Sequence, residues 1–136
     1  MEKQPLPLLV AEDNPALAQV VRFHLEREGF QVTVARNGRD AWTLLQTRPF
    51  VLLVTDHQMP GMSGCELCEN IRRTPPLADL KVIMLTAKGL ELDRRRLREE
   101  LGVAAVLPKP FSVRELAETV VQCLGTLTAE KLPPAV

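Results

Sequence analysis

The sequence predicts a doubly wound α/β domain: a five-stranded parallel sheet, strand order 2-1-3-4-5, with five helices. Three observations carry this. Five short apolar runs recur along the 136 residues, and four of them are nearly continuous in apolar side chains instead of alternating; strands covered on both faces look like this. Segments with helical caps and helical apolar spacing lie between the runs, and such alternation with right-handed crossovers builds a layered parallel sheet. The length suits one compact domain, which buries roughly two-thirds of its unfolded surface.

The elements follow in order. β1 is read at Leu6–Ala11. Asn14 then offers an N-cap and Pro15 suits the first helical position of α1, whose Leu17, Val20, Val21 and Leu25 recur at helical spacing up to a closing Gly29. β2 is Gln31–Ala35, and Asn37-Gly38 opens α2, which turns Ala41, Leu44 and Leu45 inward and ends before Pro49. β3 is Val51–Thr55, and α3 opens at the capping-box pair Ser63 and Glu66. β4 is Lys81–Leu85. α4, between Leu90 and Leu101, is the weakest signal, because Asp93-Arg94-Arg95-Arg96 leaves only Leu90, Leu97 and Leu101 as anchors. β5 is Ala104–Leu107. α5 opens at a second capping-box pair, Ser112 and Glu115, and carries one stripe of Val113, Leu116, Ala117, Val120, Val121 and Leu124. Residues 128–136 include Pro133-Pro134 and lack periodicity, so they read as a C-terminal tail or the start of a linker after a domain at 1–127.

Composition narrows the function classes. Lys+Arg and Asp+Glu are both 17, for zero net charge, so the chain lacks the whole-molecule basic field that holds nucleic acid. No apolar run approaches the ~20 residues of a membrane span. The first residues, Met1-Glu2-Lys3-Gln4-Pro5, lack a charged-then-apolar signal pattern. Cys65, Cys68 and Cys123 form no disulfide framework, and a reducing cytoplasm is the expected compartment.

In a sheet of order 2-1-3-4-5, the flavodoxin-like order, ligands bind beyond the carboxyl ends of the strands, at the switch point between β1 and β3. The residues just past the strands are Glu12-Asp13 after β1, Asp56 after β3, Thr86 after β4 and Lys109 after β5. Neighbouring strands lie ~4.8 Å apart, which sets Asp13, Asp56 and Thr86 side by side, with Lys109 long enough to reach across. Three carboxylates in one cleft repel, and a hard cation such as Mg²⁺ relieves this with one or two carboxylates, waters and phosphate oxygens. An Asp so placed can attack phosphorus to give an aspartyl phosphate, with Lys109 balancing charge.

The strings Val10-Ala11-Glu12-Asp13-Asn14, Asp56-His57-Gln58-Met59-Pro60-Gly61-Met62-Ser63-Gly64, Leu85-Thr86-Ala87 and Lys109-Pro110-Phe111 resemble those of response-regulator receiver domains, over roughly Leu6 to Leu127. The resemblance implies that Asp56 accepts a phosphoryl group from a sensor histidine kinase or phosphotransfer protein. It implies Mg²⁺ held by Asp13, Asp56 and the Gln58 backbone carbonyl, with Glu12 acting through water. Thr86 and Ala87, with Lys109, would bind the phosphoryl group and switch on it, and the Lys109–Pro110 bond would be cis. Output would be a population shift of the α4–β5–α5 face toward a partner or output domain. The module modifies only itself and is not otherwise an enzyme. Direct nucleic-acid binding and membrane contact are not expected. The string Phe111-Ser112-Val113-Arg114-Glu115-Leu116 resembles receivers that pair through this face, although α4 does not match theirs, so a phosphorylation-dependent homodimer stays open. Either a stand-alone receiver or a piece of a larger regulator fits, the latter slightly better.

Two positions depart from the family pattern. Val106 stands where the family carries Tyr or Phe, so output is expected to rely on α4 displacement or partner contacts instead of a turning ring. His57 follows the acceptor; it reads either as a surface loop residue or, with Gln58, as a modulator of dephosphorylation. Pro108 precedes Lys109 without an assignable role. Cys65-x-x-Cys68, His24 and Trp42 read as packing or surface residues, and Arg94-Arg95-Arg96-Leu97-Arg98 as a solvated face with local ion pairs. Two other functions compete with the switch: a docking module indifferent to phosphorylation, which Val106 allows, and a haloacid-dehalogenase-type phosphatase. The latter wants a second Asp where Gln58 stands, and more chain.

Overall fold

A computed structural model describes residues 5–87 and 94–125. Five parallel strands run in the order β2-β1-β3-β4-β5: β1 Pro7–Ala11, β2 Gln31–Ala35, β3 Leu52–Asp56, β4 Lys81–Thr86 and β5 Ala105–Pro108. The helices are α1 Pro15–Arg27, α2 Gly38–Thr47, α3 Gly64–Arg73, α4 Arg94–Glu99 and α5 Val113–Leu124, with a 3₁₀ turn at Pro75–Leu77. The expected sheet is therefore present, with strand ends shifted by one residue at most. Leu90, the domain boundary at 127 and the expected tail lie outside the described residues.

Each sheet face buries its own core. Leu9, Leu53, Val82 and Met84 pack under α2, α3 and α4, whereas Leu8, Val10, Val54, Ile83 and Leu85 pack under α1 and α5. Alternate side chains of a strand point to opposite faces, so continuous apolar runs are required, and every residue of β3 is buried. The caps form as the residues predict. Asn14 accepts from the backbone N–H groups of Ala16 and Leu17, and Ser63 and Glu66 close a reciprocal capping box. At α5, among the described residues only the Ser112 half is made, its hydroxyl accepting from the Glu115 N–H at 2.9 Å. Gly29 follows α1 with φ of +97°, a conformation that side-chain-bearing residues resist.

Two stripe residues are corrected. Val20 and Val121 are exposed, at 46% and 50%. Successive helical residues diverge by about 100°, so Val21 and Val120 take the inward positions and their neighbours face out. Leu44 is half-buried, while Leu97 and Leu101 anchor α4 as expected. Arg95 pairs with Glu99 at 3.0 Å and Arg96 with Glu100 at 3.2 Å, as expected of a solvated face; Arg96 also reaches Glu69 on α3 at 2.7 Å. Cys68 is fully buried and its thiol is pushed up to about 12 by that burial. It is a packing residue and a poor thiolate ligand. His24 stacks edge-on against Phe23, and Trp42 packs on the α2–α3 side of the core.

Candidate functional site

Strand register gathers the polar residues at the carboxyl end of the sheet. Ala11 pairs with Thr55, Asp56 with Leu85, and Thr86 with Pro108, so the residues that follow β1 and the ends of β3, β4 and β5 share one rim. Glu12, Asp13 and Asp56 each offer a carboxylate oxygen, all within 4.8 Å of one another. Glu12 and Asp56 are buried, at 1% and 4% exposed, while Asp13 opens to solvent.

Lys109 binds this cluster together. Its Nζ donates to Glu12 Oε1 and to Asp56 Oδ2, both at 3.0 Å. The second Glu12 oxygen accepts the Asn14 N–H at 3.1 Å, and among the described residues Asp56 Oδ1 has only the Gln58 N–H at 3.4 Å, a long and weak bond. Burial raises the Glu12 pKa, against the opposing pull of the Asn14 N–H and Lys109, and repulsion from Asp56 adds to the rise. Burial also works against the Lys109 charge, but bonds to Glu12 and Asp56 outweigh it and its pKa is raised. The ammonium therefore stays charged at neutral pH. Asp56 keeps one oxygen nearly free, as a nucleophile needs.

The donor set suits Mg²⁺: hard carboxylate oxygens, one of them solvent-facing, with room for water and phosphate oxygens. Thr86 is 4% exposed at the end of β4, and half-buried Ala87 follows it. The Lys109–Pro110 bond is cis, and the Lys109 N–H donates to the Thr86 carbonyl at 2.6 Å. Val106 pairs with Met84 and packs half-buried on the α3–α4 side, so no aromatic ring stands there. Gln58 is exposed and His57 half-buried; with Asp13, Met59, Pro60 and Ser63 they line a cleft of about 410 Å³ beside the acceptor.

Gly64 closes the motif string that begins at Asp56, but the motif gives it no role. A Cβ there would lie 2.6 Å from the Asp56 carbonyl oxygen, 2.8 Å from Met84 Sδ and 2.9 Å from His57 Cα. Two of these neighbours are backbone that cannot yield cheaply. Its N–H also donates to the His57 carbonyl at 2.9 Å, which fixes the start of α3 against the acceptor loop. Gly64→Ala is expected to cost about 1–3 kcal/mol, as overpacking does, and to displace Asp56; urea melts and the amide shifts of residues 56–58 measure both.

Comparison with known proteins agrees with this geometry. Residues 8–121 match the family model of the response regulator receiver domain. The phosphate regulon transcriptional regulatory protein PhoB of Rhizobium meliloti (strain 1021) is 40% identical over 125 residues, covering 92% of this chain and 55% of that protein. The probable transcriptional regulator ycf29 of Porphyra purpurea is 35% identical over 113 residues, covering 83% of this chain and 54% of that protein. The chain thus spans about half the length of these relatives. Among solved structures, the receiver domain of a signal transduction histidine kinase from Syntrophus aciditrophicus superposes with a TM-score of 0.79 at 32% identity, covering 96% of this chain and 98% of that one. With its five-stranded sheet, its acidic rim and the family match over most of its length, this chain belongs to the response regulator receiver domain family of two-component signalling.

Proposed function

We propose that the chain is a phosphorylation-dependent switch in which Asp56 accepts a phosphoryl group from a phosphohistidine of a sensor histidine kinase or phosphotransfer protein. The observation that carries this reading is the double grip of Lys109 on Glu12 and Asp56 at 3.0 Å, which leaves Oδ1 as the more open of the two Asp56 oxygens. That oxygen attacks phosphorus, the phosphorus–nitrogen bond breaks, and its electron pair returns to the donor imidazole. Lys109 stays beside the new acyl phosphate and offsets its charge. Asp13, Asp56 and the Gln58 carbonyl would hold Mg²⁺, with Glu12 joined through water. The ion supplies charge neutralisation of the phosphoryl oxygens. Thr86, Ala87 and Lys109 then bind the transferred group.

Gln58, exposed in the cleft, meets the water that ends the signal and so sets its lifetime. Output runs through α4–β5–α5 to a partner or an output domain, with cytoplasm as the compartment. Because Val106 provides no ring, the shift is carried by α4.

Acetyl phosphate tests the reading without a kinase. With Mg²⁺, Asp56 gains one phosphoryl group, seen by intact mass and peptide mapping; without Mg²⁺ the gain disappears. Asp13→Ala weakens Mg²⁺ binding at least tenfold, about 1.4 kcal/mol for a lost charged ligand. No uptake by the unaltered chain, the behaviour of a docking module, would overturn the proposal.

A further inference from the structure

The loop after the acceptor rests on a contact that no side chain could share. Gly38 is buried at the first helical position of α2, directly after the N-cap Asn37. A Cβ there would collide with the Met62 carbonyl oxygen and lie 2.9 Å from Met62 Cβ and 3.2 Å from the Met62 carbonyl carbon. The start of α2 and the backbone of residue 62 are thus pressed together, and only a residue without a Cβ allows it. The helix cannot back away cheaply, because Ala41 and Leu45 on its inner face are fully buried.

The loop that meets Gly38 is closed at its base. The His57 carbonyl accepts the Gly64 N–H at 2.9 Å, and the His57 N–H donates to the Leu85 carbonyl at 2.9 Å. Gly64 is in turn packed against the Asp56 carbonyl oxygen and His57 Cα. Met59 and Met62 are half-buried against the core beneath α2, α3 and α4, so the loop is laid onto the domain. With both feet pinned, pressure at Met62 is relieved within residues 58–62. Gln58, with the carbonyl assigned to Mg²⁺, is the first of these.

We infer that Gly38 is a positioning residue for the metal site: the start of α2 is the stop against which the loop carrying the Gln58 carbonyl is seated. This rests on the switch reading above and adds to it a residue that acts on the ion without touching it. Asp56 ends β3 and Asp13 lies just past β1, so the sheet supports both carboxylates. A backbone carbonyl in a loop lacks that support and needs another. Mg²⁺ tolerates little departure from octahedral geometry, so the seat of the loop sets affinity. Groups that orient a metal ligand from outside are worth about 10–100-fold in affinity.

Mg²⁺ titration of the intact chain tests this without phosphorylation, read by the amide shifts of Asp13 and residues 56–62 and by the fluorescence of Trp42. Trp42 is the one tryptophan of the sequence and lies a turn beyond Gly38 on the same helix face. Gly38→Ala should weaken Mg²⁺ binding about tenfold and move the amide shifts of residues 58–62 before any ion is added. Gly29→Ala is the matched control. Its φ of +97° makes the substitution costly, the added carbon enters open space, and it precedes β2 whereas Gly38 follows it, at the other end of the sheet. That variant should lose stability and keep the parent's Mg²⁺ affinity. Asn37→Ala removes the acceptor of the Asp40 N–H at 2.7 Å. It loosens the stop without crowding the loop, and should weaken Mg²⁺ binding by a smaller factor. Equal affinity in Gly38→Ala and the parent would overturn the inference, as would an equal loss in Gly29→Ala. Should Gly38→Ala fail to fold, Asn37→Ala at the parent's affinity overturns it alone. Failure of the switch reading looks different, since the parent itself would then show no Mg²⁺ response at Asp13 or Asp56.

Discussion

Asp56→Asn takes up no phosphoryl group from acetyl phosphate under conditions that modify the unaltered chain fully, and it stays folded. The amide oxygen is neutral and a far weaker nucleophile than a carboxylate, so the chemistry is lost outright. The structural cost is small. Lys109 keeps its 3.0 Å bond to Glu12, and an amide oxygen can still accept at the Asp56 position. Removing one of three clustered carboxylates also lowers their mutual repulsion, so stability without Mg²⁺ should change by no more than about 1 kcal/mol. Mg²⁺ affinity falls with the lost ligand. Intact mass after acetyl phosphate treatment, with a parallel thermal melt, checks both halves. Phosphoryl uptake by the Asp56→Asn chain would place the acceptor on another carboxylate, Asp13 foremost, and defeat the assignment.

Sheet and site are legible in the sequence for one physical reason. Buried parallel strands must be largely apolar, so a charged or polar residue at the end of such a run marks the strand's exit from the core. Val54-Thr55-Asp56 and Leu85-Thr86 show this directly. Less legible is anything decided by which side of a helix wins. Val20 and Val121 look equivalent to Val21 and Val120 in a pattern but point away from the sheet. Partners far apart in sequence are also hidden. The length of the Lys109 side chain predicts its reach to Asp56, yet its equal grip on Glu12, 97 residues away, needs the register of β1 against β3. The buried Nδ1 of His57, which has no hydrogen-bond partner among the described residues, has no sequence signal at all, because it depends on what fails to surround it.

Arg72→Met is expected to be among the most destabilising single changes outside the site, although motif reading gives Arg72 no role. Its guanidinium donates to the carbonyls of Leu101 at 2.6 Å, Ala78 at 2.8 Å, Leu80 at 2.8 Å and Gly102 at 3.1 Å. One half-buried cation thus ties α3 to the chain entering β4 and to the chain leaving α4. Burial lowers its pKa, but a guanidinium remains charged at any ordinary pH. Met keeps the apolar stem and removes every donor. Charge-assisted bonds are worth about 1.5–3 kcal/mol each, yet water can re-solvate the more exposed carbonyls and the losses do not add, so about 3 kcal/mol is expected in total. For a domain of this size that lowers the melting temperature by roughly 10 °C. Arg72→Lys should recover no more than about half, because a point charge with three donors cannot span four carbonyls held by a planar fork. Hydrogen exchange would separate global from local loss: residues 97–103 should lose protection first, since beyond the clamp this segment is held by the burial of Leu97 and Leu101 and by the half-exposed Arg96–Glu69 pair. A Met variant within about 1 kcal/mol of the parent, or one with α4 protection intact, would show that the clamp does not hold α4. If the clamp does hold it, Arg72 fixes the carboxyl end of α4 through Leu101 and Gly102, and any displacement of α4 becomes a pivot about that end.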